Sequence, residues 1–215
     1  MGITWPAILA RQREWAASHG INRLNSNYTR TIEDNLFQPL TAAARADYTA
    51  GRGNEMGGAA EPGKMQALHS LSALVCNVFD YWRGRLLLGQ SADALAAALD
   101  APAPVGQIGF EKTYRTGLGG VPPTLDVVLQ ADGAKPFLVE SKFTEHHTHS
   151  AEDAFKKSYF PDSGELWGKL GMPRCEELAR RISADQEQFH WLNAPQLLKH
   201  ILGAATAYGK DFTLL

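Results

Sequence analysis

The chain has 215 residues, 44% of them hydrophobic and 20% charged, enough apolar material for one domain with a core that needs no disulfide or metal staple. Its two cysteines, Cys76 and Cys175, stand alone, which argues against a zinc knuckle or a disulfide scaffold and fits a reducing cytoplasm. A net charge of −2, the lack of a signal-peptide core and the lack of any apolar run near the ~20 residues of a membrane span predict a cytoplasmic, non-membrane protein that does not hold polyanions by overall charge alone.

In chain order, residues 4–18 alternate Trp5, Ile8, Leu9 and Trp15 with Arg11, Arg13 and Glu14, the pattern of an amphipathic helix, with Gly20 as its stop. Residues 21–50 read as irregular or weakly helical, and 51–63 as a glycine-rich loop. From Lys64, the apolar residues Met65, Leu68, Leu71, Leu74, Val75, Val78, Phe79 and Trp82 recur at spacings of three and four, predicting a helix that Gly84 ends. Ser91 reads as the N-cap of a short Ala/Leu helix to about Leu99, and Pro102 and Pro104 break the chain.

The period then changes. Ile108–Tyr114, Leu125–Gln130 and Pro136–Phe143 read as strands, the last two joined by an Asp132-Gly133 hairpin turn. Residues 144–193 are polar and aromatic, with a helical piece near Glu176–Arg181. Ala194–Tyr208 returns to helical spacing, Gly209 caps it, and Phe212–Leu215 reads as a final strand.

The second and third strands carry the chemistry. Asp126 opens an otherwise apolar segment, where a carboxylate is expensive without a partner. Glu140 and Lys142 lie two apart, so on a strand they share one face, roughly 6–7 Å from each other. The hairpin would bring all three together. Two hard oxygen donors suit Mg²⁺, and a neighbouring ammonium suits an attacking water or a developing negative charge. As a bare pattern the trio is weak, and a surface salt bridge on a hairpin is the plainer explanation. The apolar strands around it and the order of elements favour a site.

Pro123-Thr124-Leu125-Asp126 followed by Glu140-Ser141-Lys142 resembles the PD-(D/E)xK signature of restriction endonuclease-like proteins. One departure is that the proline stands three residues before Asp126. The resemblance implies an α/β restriction endonuclease-like core of helix, three-strand mixed sheet, helix and strand over residues 64–142 and 194–215. A helical extension (1–63) and an insertion (143–193) would complete a single nuclease-like domain. It further implies metal-dependent hydrolysis of DNA with Mg²⁺ or Mn²⁺, by an endonuclease of the restriction or repair kind. Asp126, Glu140 and the Ser141 carbonyl would hold the metal, and Lys142 would serve the attacking water. Glu111, and more weakly Glu55, are candidates for the additional acidic residue that such proteins often carry. Gln196, with Lys199 and His200 beside it, is the candidate polar residue from the last helix. A homodimer would suit cutting both strands of a duplex. The rival reading is a nucleic-acid-binding or assembly module that keeps the fold without cutting.

Other residues carry less. His146, His147 and His149 could touch phosphate or a second metal, but an exposed polar turn explains them as well. Lys156, Lys157, Arg180 and Arg181 in the insertion are candidates for the phosphate backbone, and Tyr159, Phe160 and Trp167 for stacking on bases. The acidic residues among them make a mixed solvated surface the safer expectation. Trp82, Phe79 and Met65 are expected to be core.

Overall fold

A computed structural model describes residues 4–58, 60–143, 155–162, 165–189 and 192–215. Its elements are α1 (Trp5–Ser18), α2 (Ala42–Ala50), α3 (Leu71–Leu87), α4 (Asp93–Ala98), β1 (Val105–Thr113), β2 (Thr124–Ala131), β3 (Phe137–Val139), α5 (Glu165–Gly168), α6 (Pro173–Ser183), α7 (Ala194–Tyr208) and β4 (Thr213–Leu214). Among the described residues, no helix is long and apolar enough to cross a membrane.

The four strands form one sheet in the order β1-β2-β3-β4, antiparallel except for the parallel β3–β4 pair. This corrects the expectation of a three-strand sheet: the C-terminal segment joins the same sheet as its fourth strand. The reason lies in the connection. A parallel neighbour needs a crossover, and the helix α7 supplies one. Thr213 N–H then donates to the Pro136 carbonyl (2.9 Å), and Leu215 N–H to the Leu138 carbonyl (2.8 Å). Between β2 and β3 the expected turn forms, with Gly133 at φ 66°.

Apart from Thr124, Asp126 and Gln130, β2 is apolar because it is covered on both faces. Val127 and Leu129 pack with Tyr48 of α2, Val75 and Cys76 of α3, Leu95 of α4 and Phe110 of β1. Leu125 and Val128 pack instead with Leu138 and with Ala204 of α7. The sheet thus lies between one layer of helices and α7. A further apolar cluster joins Phe155, Trp167 and Ala179 to Leu198 and Leu202, so the insertion packs on α7 as a small lobe of its own.

Several helix boundaries differ from the sequence reading. The stretch from Lys64 opens as a single 3-10 turn (Lys64–Gln66), and α3 starts only after Ser70, whose hydroxyl caps it by accepting from Ala73 N–H. Gly84 does not end α3, which continues to Leu87, and the left-handed turn falls at Gly89 (φ 71°). One interior glycine costs a helix only about 1 kcal/mol relative to alanine, too little to stop it. Residues 42–50, read as weakly helical at most, form α2. Thr41 caps it by accepting from Ala44 N–H, and Asp80, buried on α3, accepts from both the Thr41 amide (2.8 Å) and hydroxyl (2.7 Å). That contact spans 39 residues, beyond the reach of a local pattern.

Asp47 of α2 ties this helix to β1. Its carboxylate accepts from Arg83 (2.8 Å), Lys112 (2.8 Å) and the Phe110 amide (3.1 Å). Burial pushes its pKa up, but Lys112, Arg83 and the Phe110 amide outweigh this and hold it below its ordinary value. A carboxyl with a lowered folded pKa stabilises the protein fully above its unfolded pKa and loses that contribution as pH falls through the folded value. Asp47→Asn should therefore destabilise at neutral pH by about 2 kcal/mol, a figure reduced from that of a buried pair because Lys112 is half exposed. Denaturant titrations should show the gap between wild type and variant closing as pH is lowered below about 4. A gap independent of pH would remove the electrostatic explanation.

Candidate metal centre

The strand register builds the site. Phe110 pairs with Val127 and Lys112 with Leu125, which brackets Glu111 opposite Asp126. Val127 pairs with Val139, and one further step along that register sets Glu140 beside Asp126. Asp126 and Glu140 thus face each other at a ladder spacing of about 4.5–5.5 Å between Cβ atoms, and Glu111 of β1 lies near enough for its charge to act on Asp126, so that three carboxylates form one row. Like charges directly opposite each other destabilise a sheet, so this row works against the fold.

Each member has its own support. Glu140 follows the last residue of β3, and its amide donates to the Leu215 carbonyl (3.0 Å), so β4 fixes its backbone. Its Oε1 accepts from the Lys142 ammonium (2.5 Å) and from the Gln196 side-chain amide (2.8 Å). Oε2 lies 3.2 Å from Nδ1 of His200, which is almost fully buried on α7. The approach is off the axis of a good hydrogen bond, and among the described residues neither buried atom has another partner. Asp126 Oδ2 accepts the Ser141 amide at 2.7 Å.

The charges respond accordingly. Burial, followed by the neighbouring Glu140 charge, drives the Asp126 carboxyl well above its ordinary range, and the Ser141 amide and Lys142 only partly oppose this. Burial also acts to raise Glu140, but His200 and Lys142 outweigh it and hold that carboxyl below its ordinary value. Glu111 is pushed up to about 7 by burial and by the charges of Glu55 and Glu140.

Glu111 also has a left-handed backbone, φ 51°, unusual for a side chain in a strand. Such a conformation costs on the order of 1–3 kcal/mol and persists only where its surroundings dictate it. Asp47 provides that constraint by gripping both flanking residues, Phe110 through its amide and Lys112 through its ammonium. Glu55 approaches from the loop before α3, where Ser72 donates to its Oε2 (2.7 Å) and Lys64 stands 3.9 Å away. Gly63 makes this loop feasible, since a Cβ there would meet the Glu55 carbonyl at 2.3 Å.

Asp126, Glu140, Lys142, Gln196 and Glu111 therefore lie near one another, with Glu55 at the margin. The sequence reading passed over His200 in favour of Gln196, although their four-residue spacing on one helix places them on one face. Tyr159, Phe160 and Trp167 are not free stacking platforms. Trp167 is fully buried and donates its Nε1 to the Tyr159 carbonyl (2.8 Å), and the Arg180 guanidinium covers Phe160 at 4.7 Å. Arg180 is also bonded to Glu176 (2.7 Å), and Arg181 to Glu187. Lys156 and Lys157 are exposed. Glu145, His146, His147 and His149 lie outside the described residues. Met65 is buried, and Phe79 and Trp82 pack against the main core as expected.

The donor set fits a hard divalent cation. Two carboxylates raise each other's energy, and Glu140 offers one buried oxygen without a well-formed hydrogen bond. Among the described residues, no group of three or more His, Cys, Asp or Glu side chains is gathered so as to hold a metal ion, so the protein would offer only the Asp126 and Glu140 pair. A cation here would complete its shell with water and phosphate oxygens, a habit of Mg²⁺.

A family model described as Restriction Endonuclease associating with ARP matches residues 7–215, and the chain belongs to that family. No characterised protein and no solved structure matches the chain.

Removing one charge from the row should relieve the fold. With chelator present, Asp126→Asn should raise the thermal midpoint by a few degrees, at about 2–4 °C per kcal/mol for a chain of this size. A lowered midpoint would show that the Asp126–Ser141 contact outweighs the repulsion from Glu140.

Proposed function

We propose that the chain is a metal-dependent nuclease of the PD-(D/E)xK type that hydrolyses phosphodiester bonds in DNA with Mg²⁺ or Mn²⁺. The observation that carries this reading is the step-by-step register that sets Asp126 against Glu140, with the Lys142 ammonium on the same carboxylate. Family membership supports it independently, through the restriction endonuclease in the family's description.

Asp126 and Glu140 would hold the metal, with the Ser141 carbonyl as the third protein oxygen that the PD-(D/E)xK resemblance implies. When bound, the metal supplies an acidified water and polarises the scissile phosphate. Lys142 is well placed for the attack. Its ammonium borders the same carboxylate and is about one-third exposed, so it can orient a water and offset charge developing on the phosphate. Gln196 and Lys142 both donate to Oε1 of Glu140, which leaves Oε2 for the cation. Glu111, one ladder step from Asp126, is the additional carboxylate of the row, and its raised pKa leaves it part-protonated near neutral pH until a cation is present.

DNA must approach a protein whose net charge is −2, so contacts to the backbone have to be local. Lys157 and Arg180 line an open cleft of about 540 Å³ on the insertion lobe, together with Ser158, Phe160, Pro161 and Asp162. This cleft shares no residue with the carboxylate row. The insertion lobe would grip the substrate there, with Lys157 of the cleft and the adjacent exposed Lys156 as the principal cations because Arg180 and Arg181 are each paired to a glutamate. The rival reading, a binding or assembly module that does not cut, is disfavoured because such a module has no use for Asp126, Glu140 and Lys142 together. Two copies would supply the two sites that a double-strand cut requires.

Purified protein should nick or cut DNA with Mg²⁺ or Mn²⁺ and stop on addition of chelator. Asp126→Ala, Glu140→Ala and Lys142→Ala should each reduce cleavage at least 100-fold, within the usual range for a lost electrostatic or acid–base group. Unchanged cleavage by all three folded variants would locate the chemistry elsewhere, and metal-independent wild-type cleavage would exclude this mechanism.

Binding is separable from chemistry. Neutralising Lys156 and Lys157 together should weaken DNA binding and flatten its salt dependence by about two phosphate contacts. Turnover at saturating DNA should be unaltered, since such contacts are equal in ground and transition states. Normal binding at every salt concentration would exclude the insertion lobe as the DNA-contacting surface.

A further inference from the structure

Glu140 divides its carboxylate between two environments. Oε1 is engaged by Lys142 and Gln196, whereas Oε2 faces Nδ1 of His200 at 3.2 Å. Among the described residues neither of these two buried atoms has another partner, and the side chains of both residues are about 96% buried. A buried polar atom without a partner is costly, so each is the other's natural complement. The off-axis approach is common in ligand-free sites, whose hydrogen bonds tighten once the site is loaded. His200 stands one helical turn after Gln196, and α7 therefore delivers two donors to the two oxygens of a single carboxylate.

From this geometry we infer that His200 is a positioning residue: its Nδ1–H holds the Glu140 carboxylate in the rotation that presents Oε2 to the metal. This inference rests on the metal-site reading above. It gives α7 a defined task. Lys142 approaches Oε1 from the strand side on a flexible stem, whereas Gln196 and His200 approach from a rigid helix. Contacts from one helix to both oxygens fix the plane of the carboxylate, which contacts at Oε1 alone leave free to turn. Groups outside the ligand shell that orient a metal ligand in this way typically contribute 10–100-fold to metal affinity.

The test is Mn²⁺ titration of the full chain by calorimetry, without DNA, on wild type, His200→Ala and His200→Asn, with thermal midpoints as the check on folding. The asparagine amide nitrogen falls close to the position of Nδ1, so that variant keeps the donor and loses the ring. His200→Ala should weaken Mn²⁺ binding about 10–100-fold, and His200→Asn should restore it to within a few-fold of wild type. Wild-type affinity in a folded His200→Ala overturns the inference and leaves the metal site standing. If the alanine variant does not fold, His200→Asn decides alone, and weak binding by folded His200→Asn overturns the inference. Failure of wild type itself to bind Mn²⁺ overturns the metal-site reading, and this inference with it.

Discussion

Negative charges gathered in one buried row are the condition around which this molecule is arranged. Glu111 comes from β1, Asp126 from β2 and Glu140 from the residue just after β3, and their charges act on one another. A fold that only had to be stable would place apolar side chains here, as it does at the neighbouring Val127, Val128 and Leu129. Much of the rest answers that repulsion. Lys142, Gln196 and His200 gather on Glu140, and the Ser141 amide turns to Asp126. Asp47 in turn holds the backbone on either side of Glu111, so that strained strand conformation is anchored by ionic contacts outside the row.

These supports arrive from remote parts of the chain. α2 sends Asp47, α7 sends Gln196 and His200, and the last residue sends a backbone carbonyl to Glu140. The site is therefore a property of the whole sheet and its two helical layers. A peptide spanning Thr124–Phe143 would contain all three signature residues but not Gln196, His200 or the Leu215 carbonyl, which position Glu140.

That distribution explains what could be read from the sequence. Asp126, Glu140 and Lys142 were legible because short-range features carry them: an apolar strand, an Asp-Gly turn and a two-residue spacing. The bounds of α7 were legible for a similar reason, since its apolar spacing is unbroken from Ala194 to the left-handed Gly209. Glu111 was recognisable as an acid in a strand, but its φ of 51° depends on an aspartate more than sixty residues earlier. α2 was missed because its N-terminal support includes Asp80 on α3, and a pattern search sees only the unremarkable Ala-rich run. Trp167 looked available for stacking because it lies among the lysines and arginines of the insertion. Its actual partners, Leu198 and Leu202, lie across the insertion on α7. His200 carried a usable signal in its helical spacing from Gln196, but it was outweighed by the choice of a single polar residue from that helix.

α7 has two neighbours that must be satisfied at once. One face offers Gln196 and His200 to Glu140, and another buries Leu198 and Leu202 under the insertion lobe. Adding or deleting one residue within it would turn everything downstream by about 100° and shift it by about 1.5 Å. Either the carboxylate would lose its donors or the lobe its seat. Among relatives of this chain, length changes should therefore accumulate in surface loops and be absent between Gln196 and Leu202. The segment serves as a ruler as much as a scaffold.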